Sequence, residues 1–145
     1  MKISDEGLAV IKEAEGFGGK AYLCPAGVWT IGYGHTGGVK AGQTVSRTEA
    51  ERLLRADVAA TERGVSTLAA DAAVKLSQGQ FDALVSFAFN VGLDALRLST
   101  LWRKAAKDPA DATIATEFGK WVYAGGRKLP GLIKRRAKEA ALWQR

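Results

Sequence analysis

Glu15 to Thr36, EGFGGKAYLCPAGVWTIGYGHT, is the stretch that decides how this 145-residue chain is read. It starts where an amphipathic helix ends and continues as a β-hairpin. Ala21-Tyr22-Leu23 and Val28-Trp29-Thr30-Ile31 are rich in aromatic and β-branched residues, and Pro25-Ala26-Gly27 between them supplies turn chemistry. Period two then puts Val28, Thr30 and Gly32 on one face and Trp29, Ile31 and Tyr33 on the other, so Thr30 is expected to look away from the bulky side chains. Glu15 closes the helix, Cys24 precedes the turn and Thr30 lies on the returning strand. Three reactive side chains are thereby expected to face one volume.

Upstream, Ser4 reads as an N-cap and Gly16 as a stop, which predicts a helix over residues 5–15 with Asp5 and Glu6 at its positive end. Leu8, Ile11 and Ala14 fall at helical spacing, and Glu15 lies one turn beyond Ile11. An inward-facing carboxyl loses solvation of its charged form, which favours a proton donor near neutral pH. Glu13, on another face, is ordinary.

The pattern of Glu15, eight residues, Cys24, five residues, Thr30, followed at once by Ile31-Gly32-Tyr33-Gly34-His35-Thr36, resembles the phage-type lysozymes of glycoside hydrolase family 24. The resemblance implies an α+β, mainly α, lysozyme-like fold with a small N-terminal hairpin lobe and a larger helical lobe. It also implies catalytic roles for Glu15, Cys24 and Thr30, and places Gly34, His35, Thr36, Phe89 and Asn90 on the substrate side. The family usually carries Asp, and sometimes Cys, at the position of Cys24, where with Thr it holds the attacking water. A free thiol has a pKa of roughly 8.5 and is a weak base at pH 7 unless its surroundings lower that value. Water activation, a nucleophilic role and an inert lining therefore all stay open for Cys24. His35, the sole histidine, reads as structural, paired with a buried acid on the larger lobe.

The remaining chain reads as helices. Ser46-Arg47-Thr48-Glu49 has the form of a capping box for a helix over residues 47–62 that links the lobes, with Ala50, Leu53, Leu54, Val58 and Thr61 as its apolar stripe. Ser77 to Gln80 opens a second, strongly apolar helix carrying Phe81, Leu84, Val85, Ala88 and Phe89, the expected centre of the larger lobe. Short helices are expected over residues 93–98 and 99–107. Asp108-Pro109 is expected to start another, with Ala115, Phe118 and Val122, that stops at Gly125-Gly126. The organisation is thus one lysozyme-like domain over residues 1–145: hairpin lobe 16–45, linking helix 47–62, and helical lobe 63–145 together with helix 5–15.

Composition narrows the partners. The net charge of +6 favours an anionic one. The basic set Arg127, Lys128, Lys134, Arg135, Arg136 and Lys138 lacks interleaved aromatics, so nucleic acid is disfavoured. Attraction to anionic wall polymers fits better, with Arg136 partly facing the core. One cysteine and one histidine leave too few ligands for a zinc site, and no metal or cofactor is expected. No apolar run suits a spanning helix, and MKISDEGL lacks the apolar core of a signal peptide. The chain is therefore expected to be made in the host cytoplasm, with a monomer as the simple default, and the resemblance implies an endolysin reaching bacterial peptidoglycan through a separate holin-type pore. It implies cleavage of the β-1,4 bond between N-acetylmuramic acid and N-acetylglucosamine. The alternatives are a lytic transglycosylase that leaves 1,6-anhydro ends, and a non-catalytic wall-binding protein.

Overall fold

The computed structural model describes residues 1–145. The order is α1 (Asp5–Glu15), β1 (Gly18–Leu23), β2 (Trp29–Gly32), α2 (Arg47–Asp71), α3 (Gln78–Val91), α4 (Leu93–Leu98), α5 (Thr100–Lys107), α6 (Ile114–Phe118), β3 (Tyr123–Ala124), β4 (Arg127–Lys128) and α7 (Pro130–Trp143). The fold is α+β and mainly α. The chain divides into two compact units, one of residues Lys12–Ala60 and one of Met1–Ile11 with Thr61–Arg145.

The smaller unit is built on the hairpin. β1 and β2 pair antiparallel, with Tyr22 opposite Thr30 and Leu23 opposite Trp29, and the register shifts between Gly18 and Tyr22. The loop is a three-residue turn closed by Gly27 N–H donating to the Cys24 carbonyl at 2.8 Å, with Gly27 at φ 76° in the left-handed region. On its other edge β1 takes up the segment at residues 43–45, through Ala21 N–H to the Gln43 carbonyl and Val45 N–H to the Gly19 carbonyl. Thr30 is buried, as are Ile31 and Gly32, so both faces of β2 are covered rather than one left to solvent. Gly32 makes this possible: a Cβ there would sit 3.0 Å from the Cβ of Ala50, so α2 rides directly on the strand.

The larger unit is centred on α3, which is buried on every side from Phe81 to Ala88 rather than along one stripe. Ser77 and Gln80 form the full capping box at its start. Glycines let the helices approach closely: a Cβ on Gly79 would lie 2.3 Å from the Leu142 carbonyl of α7, and one on Gly7 of α1 would lie 2.7 Å from Asp82. Phe87 meets Phe118 and Trp121 edge to face at 5.7 and 5.3 Å. The N-terminal residues are tied down by buried carboxylates. Glu62 accepts from Ile3 N–H at 2.6 Å, and Asp82 accepts from Ser4 N–H at 2.9 Å and from the Ser4 hydroxyl.

Several elements depart from the sequence reading. The helix expected over 47–62 runs on to Asp71, because Gly64, a weak helix residue, sits where a Cβ would meet Leu93 at 2.2 Å; tertiary packing overrides propensity there. At its start Ser46 caps Glu49 N–H, but the Glu49 carboxylate turns to Arg52 instead of closing the box. The helix expected to start at Asp108-Pro109 and run to Gly125-Gly126 shrinks to Ile114–Phe118. Asp108 and Asp111 instead hold turns by accepting from the N–H groups of Ala110 and Thr113. Gly125 and Gly126, at φ 58° and 76°, form the turn of a second hairpin, β3–β4. The basic set also changes: Arg135 and Arg136 are buried, so the exposed positive surface of this segment is smaller than the sequence suggests.

Candidate functional site

Glu15 is the last residue of α1 and is half-buried. Gly16, at φ 73°, turns the chain out of the helix into β1. The carboxylate lies against the backbone of Gly34. A Cβ built on Gly34 would stand 3.0 Å from Glu15 Oε2, and Gly34 has φ 82°. Glycine is therefore required twice at this position, for the backbone conformation and for the space that the carboxylate occupies.

Cys24 and Thr30 come together across the turn. The Cys24 backbone N–H donates to the Val28 carbonyl at 3.0 Å, which folds the turn amides back toward its own side chain. The N–H groups of Val28 and then Ala26, with help from the Thr30 hydroxyl, hold the thiol below its ordinary pKa, against a smaller opposing effect of burial. No cation or helix terminus is involved; the hairpin's own amides do it. The Thr30 hydroxyl donates to the Val28 carbonyl at 3.0 Å. It has one proton, so solvating a thiolate requires it to turn away from Val28.

His35 is fixed from both ring nitrogens. Nδ1 lies 2.8 Å from Asp57 Oδ2 of α2, and Nε2 lies 2.9 Å from the Gly37 carbonyl. A neutral ring donates to only one of these acceptors, whereas the protonated ring donates to both. The expectation of a buried acid on the larger lobe is corrected here. The acid is Asp57, part-exposed, on the portion of α2 that belongs to the smaller unit. The pair joins residues 22 apart in sequence, so the spacing of charges along α2 does not single out Asp57. Thr36 is exposed beside His35.

Phe89 and Asn90 belong to the larger unit. Phe89 is half-buried and Asn90 exposed near the end of α3, where Gly92, at φ 97°, is the C-cap. Asn90 is instead engaged through its side-chain oxygen, which accepts from Arg136 Nη2 at 2.8 Å. The structure thus groups Glu15 with Gly34, Cys24 with Thr30, and His35 with Asp57 in one unit, and Asn90 with Arg136 in the other.

Against known proteins, the model of the phage lysozyme family matches residues 12–139. The chain belongs to the phage lysozyme family. It is accordingly a glycoside hydrolase of the lysozyme type. The endolysin of Acyrthosiphon pisum secondary endosymbiont phage 1 is 43% identical over 148 residues, covering 99% of each chain. The endolysin of Bacillus phage PZA is also 43% identical, over 99% of this chain but 55% of that protein, so this chain spans about half the length of that relative. Among solved structures, the muramidase domain of SpmX from Asticaccaulis excentricus matches with a TM-score of 0.88 at 36% identity, over 99% of this chain and 98% of that one. Within the matched residues 12–139 lie Glu15, Cys24, Thr30, His35, Asn90 and Arg136.

Proposed function

We propose that this chain is an endolysin that hydrolyses the β-1,4 bond between N-acetylmuramic acid and N-acetylglucosamine in bacterial peptidoglycan. Glycoside cleavage proceeds through an oxocarbenium-like transition state and needs a proton on the leaving oxygen. Glu15 donates that proton. The Gly34 backbone under its carboxylate keeps the group in one place without covering it. In an inverting reaction a water attacks from the opposite face of the sugar. Cys24 and Thr30 hold this water, with the thiol lowered by the turn amides acting as its base when ionised and the hydroxyl orienting it. Gly34, His35 and Thr36 form the adjoining wall, with His35 shaping it through Asp57 rather than exchanging protons.

The observation that carries this reading is the seat of Glu15, a half-buried carboxylate at a helix end, laid on a glycine of the Gly32-Tyr33-Gly34-His35-Thr36 run, in a chain of the phage lysozyme family. The protein acts as a monomer without a cofactor. It is made in the host cytoplasm and reaches the wall through a separate pore. No helix is long and apolar enough to cross a membrane.

A second reading has one observation in its favour: the group facing Thr30 is a thiol rather than a carboxylate. A lytic transglycosylase needs one acid-base residue and uses the sugar's own hydroxyl in place of water. End-group analysis of fragments released from purified peptidoglycan separates the two. Reducing muramic ends are expected; 1,6-anhydro ends would replace the hydrolase by the transglycosylase. Retained wall binding with no soluble fragments would mean a binding protein.

A further inference from the structure

Arg136 is 1% exposed, yet it is not simply one half of an ion pair. Its Nε lies 2.8 Å from Glu139 Oε1, and its guanidinium stacks 4.9 Å from the Phe87 ring centroid. Glu139 is fully buried and also accepts from the Ser86 hydroxyl at 2.5 Å, so the anchor of the guanidinium is itself immobile. Burial pulls the guanidinium toward its neutral form, opposed by Glu139. Nη1 has no hydrogen-bond partner. A buried donor left unpaired is a cost that an apolar residue at this position of α7 would not carry. The one contact that Arg136 makes outside the buried cluster is the 2.8 Å hydrogen bond from Nη2 to Asn90 Oδ1.

That contact fixes a direction. A guanidinium has donors only, so it selects the oxygen of the Asn90 amide; the flipped amide would set N–H against N–H. With Oδ1 turned to Arg136, the Nδ2 group at the other corner of the planar amide is the free end of an exposed side chain. Asn90 lines a groove of about 430 Å³ that is also walled by Lys120, Trp121, Tyr123, Leu129 and Leu132. With Oδ1 engaged by Arg136, the two Nδ2–H donors of Asn90 are the polar groups it has left to offer a ligand in this groove, beside the aromatic side chains of Trp121 and Tyr123.

We propose that Arg136 is a positioning residue that locks Asn90 as a hydrogen-bond donor toward an amide carbonyl oxygen of the substrate, supplied either by an N-acetyl group of the glycan or by a wall peptide. The proposal rests on the muramidase reading and deepens it.

Asn90→Asp tests it, because a carboxylate keeps the partner of Arg136 while removing the outward donors. The melting temperature is expected to hold or rise. KM on soluble peptidoglycan chains is expected to rise about tenfold, the size of one lost hydrogen bond with an acceptor turned against an acceptor, with the loss carried by KM rather than by kcat. A purely structural role for Asn90 predicts no change in KM. Two further substrates identify the carbonyl. The penalty is expected to vanish on de-N-acetylated glycan if the acetamido group is the acceptor, and on glycan stripped of its stem peptides if the peptide is. Arg136→Met frees the amide to flip, and adding it to Asn90→Asp is expected to raise KM no further. KM of Asn90→Asp within twofold of a cleaving parent, or a penalty that survives on both stripped substrates, overturns the proposal. A parent that releases no muramic fragments overturns the muramidase reading instead.

Discussion

Replacing Gly34 by Ala places a methyl group against the proposed acid, and its consequences separate into two parts. The backbone part comes from φ 82°: a residue with a Cβ loses roughly 1–2 kcal/mol in the left-handed region. Loss of glycine's freedom in the unfolded chain offsets roughly 0.4–1 kcal/mol of that. The net destabilisation is about 1 kcal/mol, or about 4 °C in melting temperature. The steric part is specific: the new Cβ would lie 3.0 Å from Glu15 Oε2, so the carboxylate must give by a few tenths of an ångström. Misplacing a reacting group by about 1 Å costs about a hundredfold, so a shift of this size is expected to slow cleavage roughly tenfold. Gly42→Ala is the matched control, because Gly42 has the same φ of 82° and nothing within 4 Å of its Cβ position. Thermal melts of both variants should fall together, while release of reducing ends from peptidoglycan should fall only for Gly34→Ala. Equal activities for the two variants would refute the argument that the Gly34 surface seats the working carboxylate.

Iodoacetamide alkylation of Cys24 as a function of pH is expected to show a lower midpoint in the folded protein than in the urea-unfolded chain, and Thr30→Val should move the folded midpoint upward; coincident folded and unfolded midpoints would contradict the role of the turn amides. Because the folded pKa is the lower one, thiolate-dependent cleavage should gain with rising pH through that midpoint and Cys24→Ala should lose that limb. Glu117 is buried and held by Lys104 at 2.8 Å and Lys120 at 2.9 Å, which lowers its pKa. Its contribution to stability is full above the unfolded value of about 4.3 and is lost as pH falls through the folded one, so Glu117→Gln should destabilise at pH 7 and flatten the acid limb of melting temperature against pH. In the larger unit, Gly79→Ala drives a methyl into the Leu142 carbonyl, which is backbone and cannot rotate away; a loss near 3 kcal/mol, about 10 °C, is expected, and a wild-type melt would mean that α3 and α7 are not in this contact.

Local chemistry was legible in the sequence where one stretch of chain is enough to decide it. Ser4 and Ser77 cap their helices and the Pro25-Ala26-Gly27 turn closes on Cys24, because each of these depends on neighbours within four residues. What escaped depends on partners far along the chain. The length of α2 is settled by Leu93 against Gly64, the partner of His35 is Asp57, and Asp82 serves Ser4 across 78 residues. The second hairpin was hidden because Tyr123-Ala124 and Arg127-Lys128 are too short for a period to show. Thr30 is buried, which alternation along β2 does not encode. Arg135 and Arg136 look like surface charge in a basic run. The convergence of Ser86 and Glu139 on them, with Asn90 and the Phe87 ring at Arg136, offsets the cost of their burial.

The central claim, that the Glu15 carboxyl is the proton donor, is tested most directly by the rate of reducing-end release from purified peptidoglycan by Glu15→Gln, which preserves the shape of the side chain and removes its acid. A loss on the order of a thousandfold with the melting curve retained is expected, in line with general acid catalysis of roughly 10²–10⁴. Cleavage by Glu15→Gln within tenfold of the parent would contradict it and move the search for the acid elsewhere in the chain.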